Sequence, residues 1–237
     1  MKINALLTGR GNNTLKDKNI LDVLGHPVLY YPANACRNCK SIENFYCSSD
    51  DDMILSEAGK IGYTPIKRPI ELAAPDAQHI DCILHALNIM KEKNDLPDIL
   101  VVVLANNVTI KSKWVSDCIN IMKNDMRISA VVPVYEDNDH HPLRAKVIDS
   151  DGRLQMYDDR VEGAVSTNRQ DLTPCYFLSH NIWVLNVEKL LSDEEGQAPW
   201  SFMGNNIYPY LIDESLDIHH KTDLYLAKEW IINNYTD

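Results

Sequence analysis

Short apolar runs alternate along the chain with stretches whose apolar residues recur every three or four positions, the signature of a mostly parallel sheet flanked by helices. Ile3 to Leu7 reads as the first strand and Ile42 to Ser48 as the second. Between them a helix is expected to start near Pro27, because proline is tolerated in a first turn, and to carry Cys36 and Cys39. Ile54, Ala58 and Ile61 give a short helical face after Asp50-Asp51-Asp52, which reads as a helix N-cap with an acidic first turn. Ile80, Ile83, Leu84, Leu87 and Met90 form a 3.6-residue stripe from His79 to Met90, followed by a nearly continuous aliphatic strand from Asp98 to Leu104. Val115, Cys118, Ile119, Met122 and Met126 repeat the stripe, and Ile128 to Val134 is the next strand.

From Glu136 to about Leu185 the pattern breaks into shorter strands around Val147 and Leu154, an Asp151-Gly152 turn and a polar stretch from Asp158 to Asp171. This predicts an inserted β-rich arm over roughly residues 136–181 of a single 237-residue domain. The α/β pattern resumes with Ile182 to Leu185, and a final helix from Thr222 to Ile232 is expected to bury Leu224, Ala227 and Ile231.

Charge narrows the partners. With 23 Lys and Arg against 34 Asp and Glu the net charge is −11, a field that repels a phosphate backbone and argues against a nucleic-acid partner. The longest apolar run, Ile99 to Ala105, is far below the roughly 18 residues of a membrane span, and the N-terminal apolar stretch is too short for a secretory signal. A cytoplasmic protein without a membrane partner is expected. Cys36-Arg-Asn-Cys39 has no second pair to complete a zinc site, so the six cysteines read as reduced structural thiols.

Ligands of open α/β sheets bind at the carboxyl ends of the strands, which directs attention to the loop after the first strand. Thr8 to Asn19 combines glycines with Arg10, Lys16 and Lys18 in an otherwise acidic chain. It carries neither a P-loop nor a dinucleotide fingerprint, and its composition alone leaves a phosphate cradle and a solvated loop both open.

The order of motifs carries a resemblance. Leu7-Thr8-Gly9-Arg10-Gly11-Asn12-Asn13-Thr14-Leu15-Lys16-Asp17-Lys18-Asn19-Ile20 resembles the N-terminal signature, usually ARGGSKxxxxKNI, of the cytidylyltransferases that activate sialic-acid-type sugars. Gly25-His26-Pro27-Val28-Leu29 resembles the G-x-P-L-I of that family, Cys47-Ser48-Ser49-Asp50-Asp51 its V-S-T-D-D, and Arg68-Pro69-Ile70-Glu71-Leu72-Ala73 its R-P-x-E-L-A. His140-His141-Pro142-Leu143-Arg144 is similar to its HHP element, Arg169-Gln170-Asp171-Leu172 to its R-Q-x-L, and Ser215-Leu216-Asp217-Ile218-His219 to its S-x-D-I-D. The seven segments run in family order over nearly the whole chain.

The resemblance to the CMP-sialic acid synthetase-like (acylneuraminate or nonulosonate) cytidylyltransferases implies a Rossmann-like nucleotidyltransferase fold, and a homodimer whose arm crosses to the partner subunit. It implies attack of an acceptor oxygen on the α-phosphate of CTP, with loss of pyrophosphate. Carried over, Arg10, Lys18 and Asp217 are catalytic. Gly9, Arg10, Gly11, Asn12, Lys18, Asn19, Arg68 and Asn106 bind the nucleotide, and Arg144, Arg169 and Gln170 meet the acceptor's carboxylate. Such a displacement is driven by positioning and charge neutralisation, which suits these residue types. Glu71, in a structural turn, takes no role, and His140 and His141 read as arm residues that cap or pack.

Three departures bear on specificity. Leu104-Ala105-Asn106-Asn107-Val108-Thr109 replaces the family's L-Q-P-T-S-P, with Asn106 and Asn107 offering amides in place of the glutamine; Ser179-His180-Asn181 replaces its N-G. The D-I-D metal pair has become Asp217-Ile218-His219, so the expected cofactor is Mg²⁺ held largely by Asp217, or the softer Mn²⁺ with His219 as a second ligand. The expected activity is CMP transfer from CTP to a sialic-acid-like nonulosonic sugar. The alternatives are a Kdo-type sugar or small phosphonate as acceptor, and a degenerate nucleotide-binding member without turnover.

Overall fold

A computed structural model describes every residue except Asn12, 159–164, 193–194 and 236–237. Strand β1 (Ile3–Thr8) is buried along its whole length. The chain then passes through a polar loop, one 3₁₀ turn at Lys18–Ile20 and a two-stranded ribbon of β2 (Asp22–Val23) and β3 (His26–Pro27). Helix α1 (Tyr30–Arg37) therefore starts later than the proline signal suggests: Pro27 pairs with Asp22 in the ribbon, and the helix ends before Cys39. Strand β4 (Asn44–Ser49) leads into α2 (Asp52–Lys60), whose N-cap is Asp51, its carboxylate accepting from the Met53 and Ile54 amides as the acidic run predicts. Then follow β5 (Thr64–Lys67), α3 (His79–Glu92), β6 (Ile99–Leu104), α4 (Ser112–Asn124) and β7 (Ala130–Glu136).

The predicted arm contains a small hairpin, β8 (Lys146–Ile148) with β9 (Leu154–Met156), that stands apart from the main sheet. The chain returns through β10 (Tyr176–Leu178) and β11 (Ile182–Asn186), the short α5 (Val187–Leu190), the edge strand β12 (Ile207–Leu211) and α6 (Lys221–Asn234).

Among the described residues the main sheet has eight strands. β5, β4, β1 and β6 lie side by side in parallel; β11 is antiparallel to both β6 and β7, β10 continues along the same side of β7, and β12 closes the far edge parallel to β7. The sheet is thus mostly parallel, with β10 and β11 the reversals introduced by the returning arm.

Period-two alternation divides the central strands between two cores. Ala5, Leu7, Val101 and Val103 face one beneath α1, α2 and α4, while Leu6, Leu100 and Val102 face the other beneath α3. The α3 stripe is rotated slightly from the predicted one, burying Cys82, Ile83, Ala86, Leu87 and Met90. A third cluster joins Val23, Val28 and Tyr31 to Val108, Ile218, Ala227, Trp230 and Ile231, so α6 clamps the ribbon and the 105–109 loop against the strand end. Leu224 is only partly buried there, with Trp230 taking the expected place. Five cysteines are buried and Cys175 half-buried, all as free thiols, and burial pushes the Cys36 thiol up to about 12, which leaves it protonated rather than redox-active.

Candidate active site

The carboxyl ends of β1, β4 and β6 open on a cleft of about 320 Å³. It is lined by Gly9, Arg10, Lys18, Asn19, Arg68 and Asn106, so six of the eight residues expected at the nucleotide converge there. Gly11 lies beside it, and Asn12 falls outside the described residues.

Close backbone approach shapes the loop. At Gly9 a Cβ would come within 3.0 Å of Ala105 Cβ and 3.2 Å of Asn19 Nδ2; at Gly11 it would collide with Asp51 Oδ2 at 2.6 Å. The Gly11 amide donates to Asp50 Oδ1 at 3.0 Å, so Asp50 anchors the loop while its neighbour caps α2. Asn19 is almost fully buried and its Nδ2 donates to the Arg10 carbonyl at 3.0 Å. Its side-chain nitrogen thus supports the loop from beneath. Arg10 Nη1 donates to the Ala74 carbonyl at 3.2 Å, which draws the guanidinium across the cleft.

Arg68 is buried, with Nε on Ser48 Oγ at 3.2 Å and Nη2 on the Ser48 carbonyl at 2.7 Å. Burial lowers the Lys18 pKa from the usual lysine value, Asp217 opposing this and Arg10 adding to it, so the three charges lie within mutual range. That coupling connects the loop after β1 to the strand segment carrying Asp217.

Asp217 is held by a polar network. It forms an isolated β-bridge with Asn107, and the Ile218 amide donates to the Asn106 carbonyl at 3.0 Å. Asn106 lines the cleft as expected, whereas Asn107 is wholly buried and turned to Asp217, its Nδ2 on Oδ1 at 2.5 Å. The remaining Asp217 oxygen, Oδ2, is 3.9 Å from His219 Nε2, within the span of two ligands on one ion with bonds of roughly 2.0–2.1 Å. Among the described residues no cluster of three or more His, Cys, Asp or Glu could hold a metal. Asp217 Oδ2 and His219 Nε2 are the two donors this segment would offer a divalent ion, whose remaining ligands would be water and phosphate.

The arm residues stay outside the cleft. Arg144 and Lys146 line a hollow at the foot of the hairpin, and Arg169 and Gln170 line another with Glu136, Asp137 and Asp139. Arg169 Nη1 is paired with Asp139 at 2.9 Å. His141 accepts from the Leu143 amide through Nδ1 and donates from Nε2 to the Thr173 carbonyl, and His140 pairs with Asp137 at 2.7 Å, as their structural reading predicts.

Sequence reasoning missed the α3 side of the cleft. Ala77, Gln78 and His79 line it, and His79 Nε2 lies 3.1 Å from Thr8 Oγ1. The N-terminus of a 14-residue helix thereby opens on the site, an arrangement suited to anions. Position before a strong apolar stripe was the available signal, but only the fold shows which strand end the helix meets.

No protein-family model matches the chain. A pseudaminic acid cytidylyltransferase of Campylobacter jejuni subsp. jejuni serotype O:23/36 is 23% identical over 169 residues, 70% of each chain. A solved CMP:2-keto-3-deoxy-manno-octonic acid synthetase complexed with CTP shares the fold with a TM-score of 0.71 at 12% identity, over 99% of this chain and 100% of that one. A solved cytidylyltransferase from Leptospira borgpetersenii superposes with a TM-score of 0.61 at 17% identity, over 100% of this chain and 89% of the other. Motif order, sequence similarity and fold together support a CTP-dependent cytidylyltransferase, similar to those that act on nonulosonic sugars.

Proposed function

We propose that the protein transfers CMP from CTP to a nonulosonic sugar, of which a pseudaminic- or sialic-acid-type sugar is the first choice, and releases pyrophosphate. The observation that carries this reading is the convergence of Gly9, Arg10, Lys18, Asn19, Arg68 and Asn106 on one cleft, with Asp217 electrostatically coupled to Lys18.

In this reading the loop amides near Gly9 and Gly11, the Arg10 guanidinium and the Lys18 ammonium neutralise the triphosphate and hold its α-phosphorus for in-line attack. Arg68 and the α3 N-terminus close the other wall. A divalent ion, Mg²⁺ or Mn²⁺, would be held by Asp217 with His219 beside it, and would supply charge neutralisation on the phosphates. The arm's Arg144, Arg169 and Gln170 would meet the acceptor's carboxylate across a homodimer, arginine offering a planar fork for it. Support for the dimer comes from the β8–β9 hairpin, whose Ile148 and Leu154 are 73% and 70% exposed, since an isolated two-stranded ribbon is marginal in water. We place the protein in the cytoplasm, where CTP is available.

The test is pyrophosphate release from CTP with Mg²⁺ or Mn²⁺, against pseudaminic acid, N-acetylneuraminic acid, Kdo and a small phosphonate. Turnover with a nonulosonate is expected, and release with none of the panel removes the proposed activity. The Kdo-type acceptor stays in the panel as the second reading because a CMP:2-keto-3-deoxy-manno-octonic acid synthetase shares the fold and because this chain departs from the family pattern at 105–109 and 179–181. Light scattering reads the dimer separately.

A further inference from the structure

Two carbonyl-side and two amine-side contacts fix the orientation of the Asn107 side chain. Its Oδ1 accepts from the Thr109 amide at 3.0 Å and the Thr109 hydroxyl at 2.7 Å. That hydroxyl itself accepts from the Leu216 amide at 2.9 Å, so its proton is directed to Asn107. The amide cannot flip without losing both bonds. Nδ2 must therefore face Asp217 Oδ1 at 2.5 Å and Ser215 Oγ at 3.3 Å, and Ser215 is held in turn by Ser179 Oγ at 2.7 Å. Asn107 and Thr109 are fully buried, and the Asn181 amide donates to the Thr109 carbonyl at 2.7 Å, closing the network from the β10–β11 junction.

We infer that Asn107 is a positioning residue that occupies one oxygen of Asp217 and presents the other, Oδ2, alone to a divalent cation on the triphosphate. This rests on the function proposed above and deepens it: the chain departs from the family pattern both at the 105–109 segment and at His219, and the geometry ties the two departures together. With Oδ1 committed to Asn107, Asp217 offers an ion a single bond through Oδ2, leaving the rest of its coordination shell to His219, phosphate and water. Partners that orient a metal ligand from outside are typically worth about 10- to 100-fold in metal affinity.

The experiment measures CTP binding by calorimetry without acceptor, once in EDTA and once with Mn²⁺. In the wild type Mn²⁺ is expected to tighten CTP binding. Asn107→Ala should shrink that tightening about 10-fold or more while leaving the EDTA affinity unchanged, and should add nothing in an Asp217→Ala background. A wild-type Mn²⁺ effect in Asn107→Ala overturns the inference, as does an equal loss in EDTA, which would mark a merely structural role. Should Asn107→Ala not fold, Thr109→Val decides, because it unlocks the amide and should reduce the Mn²⁺ effect about 5-fold. If Mn²⁺ fails to tighten CTP on the wild type, the cation assignment and this inference fall together, while pyrophosphate release still reports on CMP transfer independently.

Discussion

The imidazole of His79 meets the end of β1, with Nε2 3.1 Å from Thr8 Oγ1 and its ring 4.7 Å from that of Trp183. Burial, then the charges of Arg68 and His180, push its pKa down to about 3 from 6.5, so it is neutral throughout the physiological range. The unfolded chain takes up this proton near pH 6.5 and the native protein does not, so the stability held above 6.5 is lost as pH falls towards 3. By pH 5 the loss from this residue is about 2 kcal/mol. Urea midpoints at pH 7, 6 and 5 should show it, and His79→Gln should flatten the slope. An unchanged slope in that variant would assign the pH dependence elsewhere.

Gly11→Ala places a methyl 2.6 Å from Asp51 Oδ2 and 2.9 Å from its Cβ. Either the loop lifts off Asp50 or the Asp51 cap is disturbed. We expect CTP affinity to fall roughly 10-fold if the loop moves, and stability to fall by about 1 kcal/mol if the cap does. Calorimetry with CTP and thermal unfolding separate the two, and no change in either would show that the loop has slack at this point.

The parallel half of the sheet is legible in the sequence because β1 and β6 are short, mostly apolar runs buried on both faces, and such runs admit one burial pattern. The arm is less so: β10 and β11 take adjacent places on one side of β7, a long-range pairing that no local period encodes. At the site, the convergence of the motif residues on one cleft was readable, since their motifs fall on loops at strand ends. His79 was not, because its role depends on which strand end α3 meets. Asn107 was read as a ligand-facing amide like Asn106, but the chain turns at Ala105 and Asn106, the Asn107 amide donating to the Leu104 carbonyl at 3.2 Å, so Asn106 lines the cleft and Asn107 turns to Asp217.

Lys18 and Asp217 should fail in different ways. On the proposed function, Lys18→Met would remove a charge that meets the developing phosphate charge and should lower kcat/KM about 10²-fold, with Lys18→Arg recovering part of it. Asp217→Ala should reduce pyrophosphate release below detection at low Mg²⁺ and recover slightly at high Mg²⁺, the behaviour of a lost metal ligand. Near-normal activity in Asp217→Ala would refute the cation assignment.

Arg169 is paired with Asp139 at 2.9 Å, but the two side chains are 59% and 62% exposed. An ion pair so open to water is worth at most about 1 kcal/mol, so an incoming carboxylate can displace Asp139 at little cost. If Arg169 meets the acceptor, Asp139→Asn should leave the unfolding midpoint unchanged within about 0.5 kcal/mol and lower KM for the sugar up to about 5-fold. Arg169→Ala should raise that KM at least about 10-fold, since charged hydrogen bonds to a carboxylate contribute roughly 1.5–3 kcal/mol, while KM for CTP stays constant. Because the arm would act across the dimer, mixing Arg169→Ala with inactive Asp217→Ala subunits offers a stricter measurement. Heterodimers would hold one site with both residues intact, and activity should reappear on mixing. Its failure to reappear in a verified heterodimer would place Arg169 on its own subunit's chemistry or remove it from acceptor binding.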